Sequence, residues 1–291
     1  MNVAGIEYKK PTVVLLQDSG IGVAEYAART CYDSFENSEN NIVRIAHEYI
    51  KNDSGCAQIT KDSLNGIESS DLLDSLAWVH HHHSIIEHAT ISYLIKGTSR
   101  GVLQEHARHR IQAISVRSTR YTMSSVINAY MAYIRFIVKP DAYKIFEKQM
   151  LDLDLFVTSD EEYNKIEIQT IANKISYQYY NMDPVDFTKS SLSSAGLDIF
   201  YNSEAETQDD LFNMLESAKK KRNVGDGLKH IVSDNWKVDM VVTFNIRSLK
   251  NYFDLRDSGA AWFQIQWLAE AMKEVTPVKY LKLIDKEYKN L

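Results

Sequence analysis

The sequence predicts an α+β chain, with short strands set among long helices. Two observations carry that expectation. Gly and Pro are scarce, 11 and 4 in 291 residues, which argues against a turn-rich all-β architecture. Runs that are β-branched or alternate apolar with polar are followed by stretches of helical period. Apolar residues make up 44% of the chain, enough to bury a sizeable core.

Pro11–Asp18 reads as the first strand, and Asp18–Gly22 as a turn. Gly20-Ile21-Gly22 is a fragment of a dinucleotide fingerprint, but Glu25 stands where its third glycine belongs, so a plain turn is expected. Val23–Cys31 is predicted helical, with Val23, Tyr26, Ala27 and Thr30 on one face. Asn37–Gln58 gives an amphipathic helix through Ile42, Val43, Ile45, Ala46, Tyr49 and Ile50, and Asp71–His80 a shorter one. Ala89–Lys96 alternates like a strand. Gly97 is expected to end it, with Thr98 or Ser99 capping a helix over Arg100–Arg108. Ala129–Val138 reads as a strand or strand pair, Asp141–Leu155 and Glu161–Tyr180 as helices, and Asp239–Phe244 as a short strand. The stretch 141–223 is read as a helical insertion, and Lys219–Arg222 within it as a solvated helix end.

Net charge is -6, yet His106–Pro140 contains no acidic residue and carries Arg108, Arg110, Arg117, Arg120, Arg135 and Lys139. Such a positive block in an acidic protein points to an anionic ligand. The planar fork of arginine suits phosphate better than the point charge of lysine. On charge alone, a solvated basic loop or a nucleic-acid patch stays open. Four consecutive histidines, His80–His83, invite a metal reading, but neighbouring residues on one element do not converge on one ion, and no zincin spacing follows. Glu105, His106 and His109 are the other metal-like group, with no further ligand placed by spacing; no metal is expected. No run of about 18 apolar residues is present, so no spanning helix is expected. Met1–Gly5 does not read as a signal peptide, and two cysteines, Cys31 and Cys56, make no disulfide framework, so a cytoplasmic setting is expected.

Arg108-His109-Arg110, seven residues, Ser118, one residue, Arg120-Tyr121 resembles the signature of the flavin-dependent thymidylate synthases. A second block agrees with it: Asn245, Arg247, Asn251 and Arg256 stand at the family's spacing. His82, Ser84, Glu87 and His88 resemble its third motif, and Ala27–Tyr32 the end of its first helix, where a small hydroxyl or thiol residue lies near the flavin. A buried, inert Cys31 is the competing reading.

The resemblance implies a single domain over 1–291, with a central, mostly antiparallel sheet flanked by helices and the insertion at about 141–223. It implies reductive methylation of dUMP to dTMP with FAD, NADPH and methylenetetrahydrofolate, in a homotetramer with shared sites. No nucleic acid or membrane partner is expected. By carry-over, His82, Ser84, Arg108, His109, Arg110, Asn245, Arg247 and Asn251 would hold the flavin. Glu105, Arg108, Ser118, Thr119, Arg120, Lys229 and Arg256 would hold dUMP, with Arg256 catalytic at N3 and O4 of the uracil. Val116, Lys229, Ser233, Gln264 and Gln266 depart from the family's pattern. They keep open a relative acting on another pyrimidine nucleotide. A non-catalytic nucleic-acid-binding protein is the rival from another class, marked by salt-dependent binding. Neither cysteine has a convincing nucleophile setting, which favours a flavin route, where the cofactor supplies hydride and the protein supplies position and charge.

Overall fold

The computed structural model of the chain describes residues 1–52, 64, 66–119, 126, 142–181 and 229–290. Arg120, Tyr121, Cys56, the expected 129–138 strand and the stretch 188–222 lie outside the described residues. The chain divides into two compact units: one of 1–9, 99–101 and 117–238, the other of 10–98, 102–116 and 239–291.

The second unit is built on a four-stranded sheet of β3 (Thr12–Asp18), β4 (Thr90–Ser99), β5 (Gln112–Val116) and β6 (Lys237–Asn245), in the order β3-β4-β6-β5. The β3–β4 and β5–β6 pairs are antiparallel, in accord with the expected α+β fold. Alternate residues point one way: Val13, Ile91, Tyr93, Ile95, Met240, Val242 and Phe244 are buried on the helix-covered face. Around it lie α1 (Gly22–Tyr32), α2 (Asn41–Asn52), α3 (Asp71–Trp78), α7 (Ile246–Arg256), α8 (Phe263–Val275) and α9 (Val278–Ile284). Burial of each large side chain stabilises the unit by roughly 1.5–3 kcal/mol. Buried polar tips are satisfied: the Tyr93 hydroxyl meets Thr276 Oγ1 at 2.7 Å, and the Tyr280 hydroxyl donates to Asp18 at 2.7 Å.

Several sequence expectations need correction here. In α1 the inward residues are Ala24, Glu25, Ala28 and Arg29, while Val23 and Thr30 face solvent. Small residues face inward because the helix packs closely: a Cβ on Gly22 would lie 2.3 Å from the Leu64 carbonyl oxygen. Glu25 tolerates burial because Ser38 Oγ and Asn40 Nδ2 donate to its carboxylate at 2.5 and 2.6 Å. Cys31 is exposed, not buried. Gly97 does not end β4 but stays within it at φ +71°, its amide donating to Asp239 Oδ1 at 2.9 Å. The next helix, α4 (Arg100–His106), stops two residues short of Arg108. Strand β5 was not foreseen, because the arginine motif masks its alternation. The face of α2 is only partly buried: Val43 and Ala46 point inward, while Ile45, Tyr49 and Ile50 are exposed.

The first unit holds the hairpin of β1 (Asn2–Val3) and β2 (Ile6–Glu7), turned by Ala4 and Gly5 at positive φ. It also holds α5 (Ala142–Asp152), α6 (Glu161–Asn181) and a 3-10 turn at Lys229–Ile231. Phe146, Met150, Ile168, Ile171, Ala172 and Trp236 are buried there, and Asp154 pairs with both Lys9 and Lys237. Helices α5 and α6 are the described part of the expected insertion. Among the described residues, no helix is long and apolar enough to cross a membrane.

Candidate active site

Helix α7 sorts its residues by period. Ile246, Leu249, Tyr252 and Phe253 are buried, and Arg247, Ser248, Asn251, Leu255 and Arg256 line a pocket on its other side. Asn245 is the N-cap, its side-chain oxygen accepting from the Ser248 amide at 2.7 Å. It fixes where the helix starts, and therefore which residues face the pocket.

The opposite wall comes from the link between α4 and β5. After His106 the chain turns, with the Arg108 and His109 amides donating to the Glu105 and His106 carbonyls at 3.2 and 3.1 Å. The Gln112 side chain donates to the His106 carbonyl at 2.9 Å, tying the turn to the start of β5. Arg108, His109, Arg110 and Ile111 then line the pocket, with Glu87 at its edge. The space is about 830 Å³. Four arginines and one glutamate on its walls make it strongly cationic, and four guanidinium forks favour phosphate-type anions.

Arg256 is the most constrained of these. Its Nε donates to His109 Nε2 at 3.0 Å, and its Nη1 donates to Glu105 Oε2 at 2.7 Å. Accepting from a guanidinium requires a neutral imidazole with its proton on Nδ1. Burial, then the charges of Arg256 and Arg108, push the His109 pKa down to about 4. Beneath lies Tyr252, its ring edge-on to His109 at 4.8 Å between centroids and its hydroxyl 3.1 Å from His106 Nδ1. His106 is fully buried, and burial pushes its pKa to about 4 as well. Burial raises the Tyr252 hydroxyl above its ordinary range. Arg247 meets Glu87 at 2.5 Å, but both side chains are about half exposed, so water and salt screen the pair.

The two motif blocks read from the sequence therefore meet: Arg108, His109 and Arg110 face Arg247, Asn251 and Arg256 across one pocket. His82 and Ser84 are exposed and do not line it. Glu105 reaches it through Arg256. Ser118, Thr119 and Lys229 belong to the other unit. Val116 lies at the end of β5, partly buried against the core, and Gln266 donates to Glu270 within α8. Among the tetrahistidine, His83 Nε2 meets the Ala77 carbonyl at 3.0 Å. Leu255 and Ser248 escaped the sequence reading. Leu255 continues the 247, 251, 255 series at helical spacing, so period alone could have found it. Tyr252 had no signal beyond an apolar helix face, and His106, noted only in a metal-like group, instead packs against Tyr252.

Fold and pocket together define an α+β protein with a cationic site suited to an anionic ligand. Residues 14–278 match the family described as "Thymidylate synthase complementing protein", and the chain belongs to that family. Curated relatives named flavin-dependent thymidylate synthase include those of Campylobacter jejuni, 25% identical over 92% of this chain and 93% of the relative, and of Helicobacter pylori strain J99, 26% identical over 91% and 93%. A crystal structure of thymidylate synthase X from Helicobacter pylori, described with FAD and dUMP, aligns with a TM-score of 0.55 at 23% identity, covering 96% of this chain and 99% of that one. That likeness supports the fold.

Proposed function

We propose that this chain catalyses the FAD-dependent reductive methylation of dUMP to dTMP, drawing the one-carbon unit from methylenetetrahydrofolate and reducing equivalents from NADPH. The observation that carries the reading is the meeting of Arg108–Ile111 with Arg247–Arg256 on one cationic pocket. The relatives' names and the Helicobacter pylori structure described with FAD and dUMP support it. The family match over 14–278 runs through both units, which supports reading the chain as one domain.

The donor set fits a flavin dinucleotide: Arg108, Arg110, Arg247 and Asn251 offer hydrogen bonds to a diphosphate, and Ile111 and Leu255 offer apolar contact. When bound, the flavin supplies the hydride that reduces the transferred carbon. His82, Ser84 and Asn245 belong to the same carry-over, Asn245 acting through the helix start that it caps. His109, held neutral, offers its Nδ1 proton as a donor. Arg256 stabilises negative charge growing on N3 and O4 of the uracil, which makes C5 nucleophilic without a cysteine adduct. Ser118, Thr119, Arg120 and Lys229 complete the dUMP contacts in this reading. A homotetramer with shared sites, in the cytoplasm, belongs to it too.

The test is the absorbance spectrum of the purified protein, then tritium release from C5-labelled dUMP with FAD, NADPH and methylenetetrahydrofolate. A flavin spectrum with release matched to dTMP is expected. A flavin spectrum without release would instead indicate another pyrimidine nucleotide, the outcome that Val116 and Lys229 motivate. Strong salt-dependent RNA binding without flavin would overturn the reading.

A further inference from the structure

Glu105 is a carboxylate beside a site built for anions, and the family resemblance counts it among the residues that would hold dUMP. We propose that Glu105 is instead a positioning residue, which holds the Arg256 guanidinium at the pocket wall and makes no contact with the nucleotide. The inference rests on the proposed reaction.

Geometry and charge both argue for this. Arg256 lines the pocket and Glu105 does not. Arg256 is gripped on two different nitrogens, Nε by His109 at 3.0 Å and Nη1 by Glu105 at 2.7 Å. Two bonds on separate edges fix the plane of a guanidinium as well as its place. The charge logic agrees. A carboxylate facing a nucleotide phosphate would repel it, whereas against Arg256 its charge is matched. The pair is also better shielded than its neighbour: Arg256 and Glu105 are 18% and 33% exposed, against 54% and 44% for Arg247 and Glu87. One residue on, His106 bonds to Tyr252 of α7, so the helices that carry the two partners are tied beside the pair.

The test compares Glu105→Ala and Glu105→Gln with wild type in the flavin-loaded protein. Three quantities are read: kcat and KM from tritium release, dUMP affinity by equilibrium dialysis, and the titration of His109 by histidine-labelled NMR. Misplacing a reacting group by about 1 Å costs on the order of 100-fold in rate. Glu105→Ala should lose about that in kcat while dUMP affinity stays within about 3-fold. Glu105→Gln keeps an acceptor and should recover most of the rate. The His109 midpoint should rise in Glu105→Ala, because a released Arg256 no longer disfavours its proton. Were Arg256 to stay in place, loss of the nearby negative charge would lower that midpoint instead. The groups facing His109 are Arg256, Arg108, Tyr252 and His106.

A large loss of dUMP affinity at unchanged kcat would overturn the proposal and make Glu105 a substrate contact. Unchanged kinetics with an unmoved His109 midpoint would also overturn it. Wild-type protein that neither binds dUMP nor releases tritium would overturn the proposed reaction, while the His109 titration would still report whether Glu105 holds Arg256.

Discussion

Arg29 meets Glu25 inside the packing of α1, and Arg256 meets Glu105 at the edge of the pocket. The chemistry of the two pairs is alike and their surroundings are not. Glu25 is 1% exposed and Arg29 8%, and the carboxylate is further bonded by Ser38 and Asn40 from the segment leading into α2. That cluster ties α1 to the segment leading into α2. The Arg256–Glu105 pair lies between solvent and core, with the guanidinium turned to a pocket wall. The first arginine is held so that the fold holds. The second is held by His109 and Glu105 with its guanidinium on the pocket wall. Burial of both partners sets the first pair apart, and a guanidinium on a pocket wall the second.

Mutating each arginine's partnership separates these roles. Arg256→Ala should give the largest effect, a loss of about 10²–10³-fold in kcat, the scale of removing one preorganised donor to developing charge. Thermal melting should shift little, because the side chain lies at the pocket edge. Tritium release beside a melting curve checks this, and an active Arg256→Ala would break the comparison. Glu25→Ala should do the reverse. It leaves Arg29 buried and uncompensated, which costs about 3 kcal/mol of stability. Urea denaturation reads that loss, while the fraction that stays folded should keep its turnover per site.

Legibility in the sequence follows the same division. The 247, 251, 255 series and Asn245 at the helix start could be read because helical period is a local property. The arginine motif at 108–110 was visible as a motif, but its backbone was not. Edge strand β5 pairs with a segment about 130 residues away, and a long-range partner leaves no trace in a short window of sequence. The inward face of α1 was misread for a related reason. Tyr26 and Val23 are the apolar residues, but close packing favours small ones, Gly22 against the Leu64 carbonyl with Ala24 and Ala28 fully buried, and a polar cluster supplied by Ser38 and Asn40 draws in Glu25. Assigning Glu105 to dUMP from a motif position could not anticipate that Arg256 stands beside it.

The Arg247–Glu87 pair sharpens the comparison from the exposed side. Both partners are near half exposed, so the pair itself contributes little to stability. Arg247→Ala should leave the urea midpoint unchanged and weaken flavin binding about 10-fold, the scale of one charge-assisted hydrogen bond. Flavin fluorescence titration measures it. Glu87→Gln should change neither stability nor kcat by more than about 2-fold, as expected for a screened partner. A large destabilisation in either variant would mean that exposure does not sort these pairs.

Histidine protonation gives the most graded effect. His106 and His109 have folded pKa values of about 4 against an ordinary value of 6.5. Above pH 6.5 both states are largely neutral and neither residue adds pH dependence. As pH falls from 6.5 towards 4, the unfolded imidazoles take up protons while the folded ones do not. Protons therefore favour the unfolded chain, and stability declines across that window. By pH 5.5 the two residues together should lower it by about 1–2 kcal/mol, with the larger share from His106, which is fully buried. His109→Gln should remove the smaller share and keep an acceptor for Arg256, so the slope of stability against pH should flatten while Arg256 keeps its place. A slope unchanged by that substitution would mean that the imidazole facing Arg256 is not held neutral, and that the guanidinium is fixed by Glu105 alone.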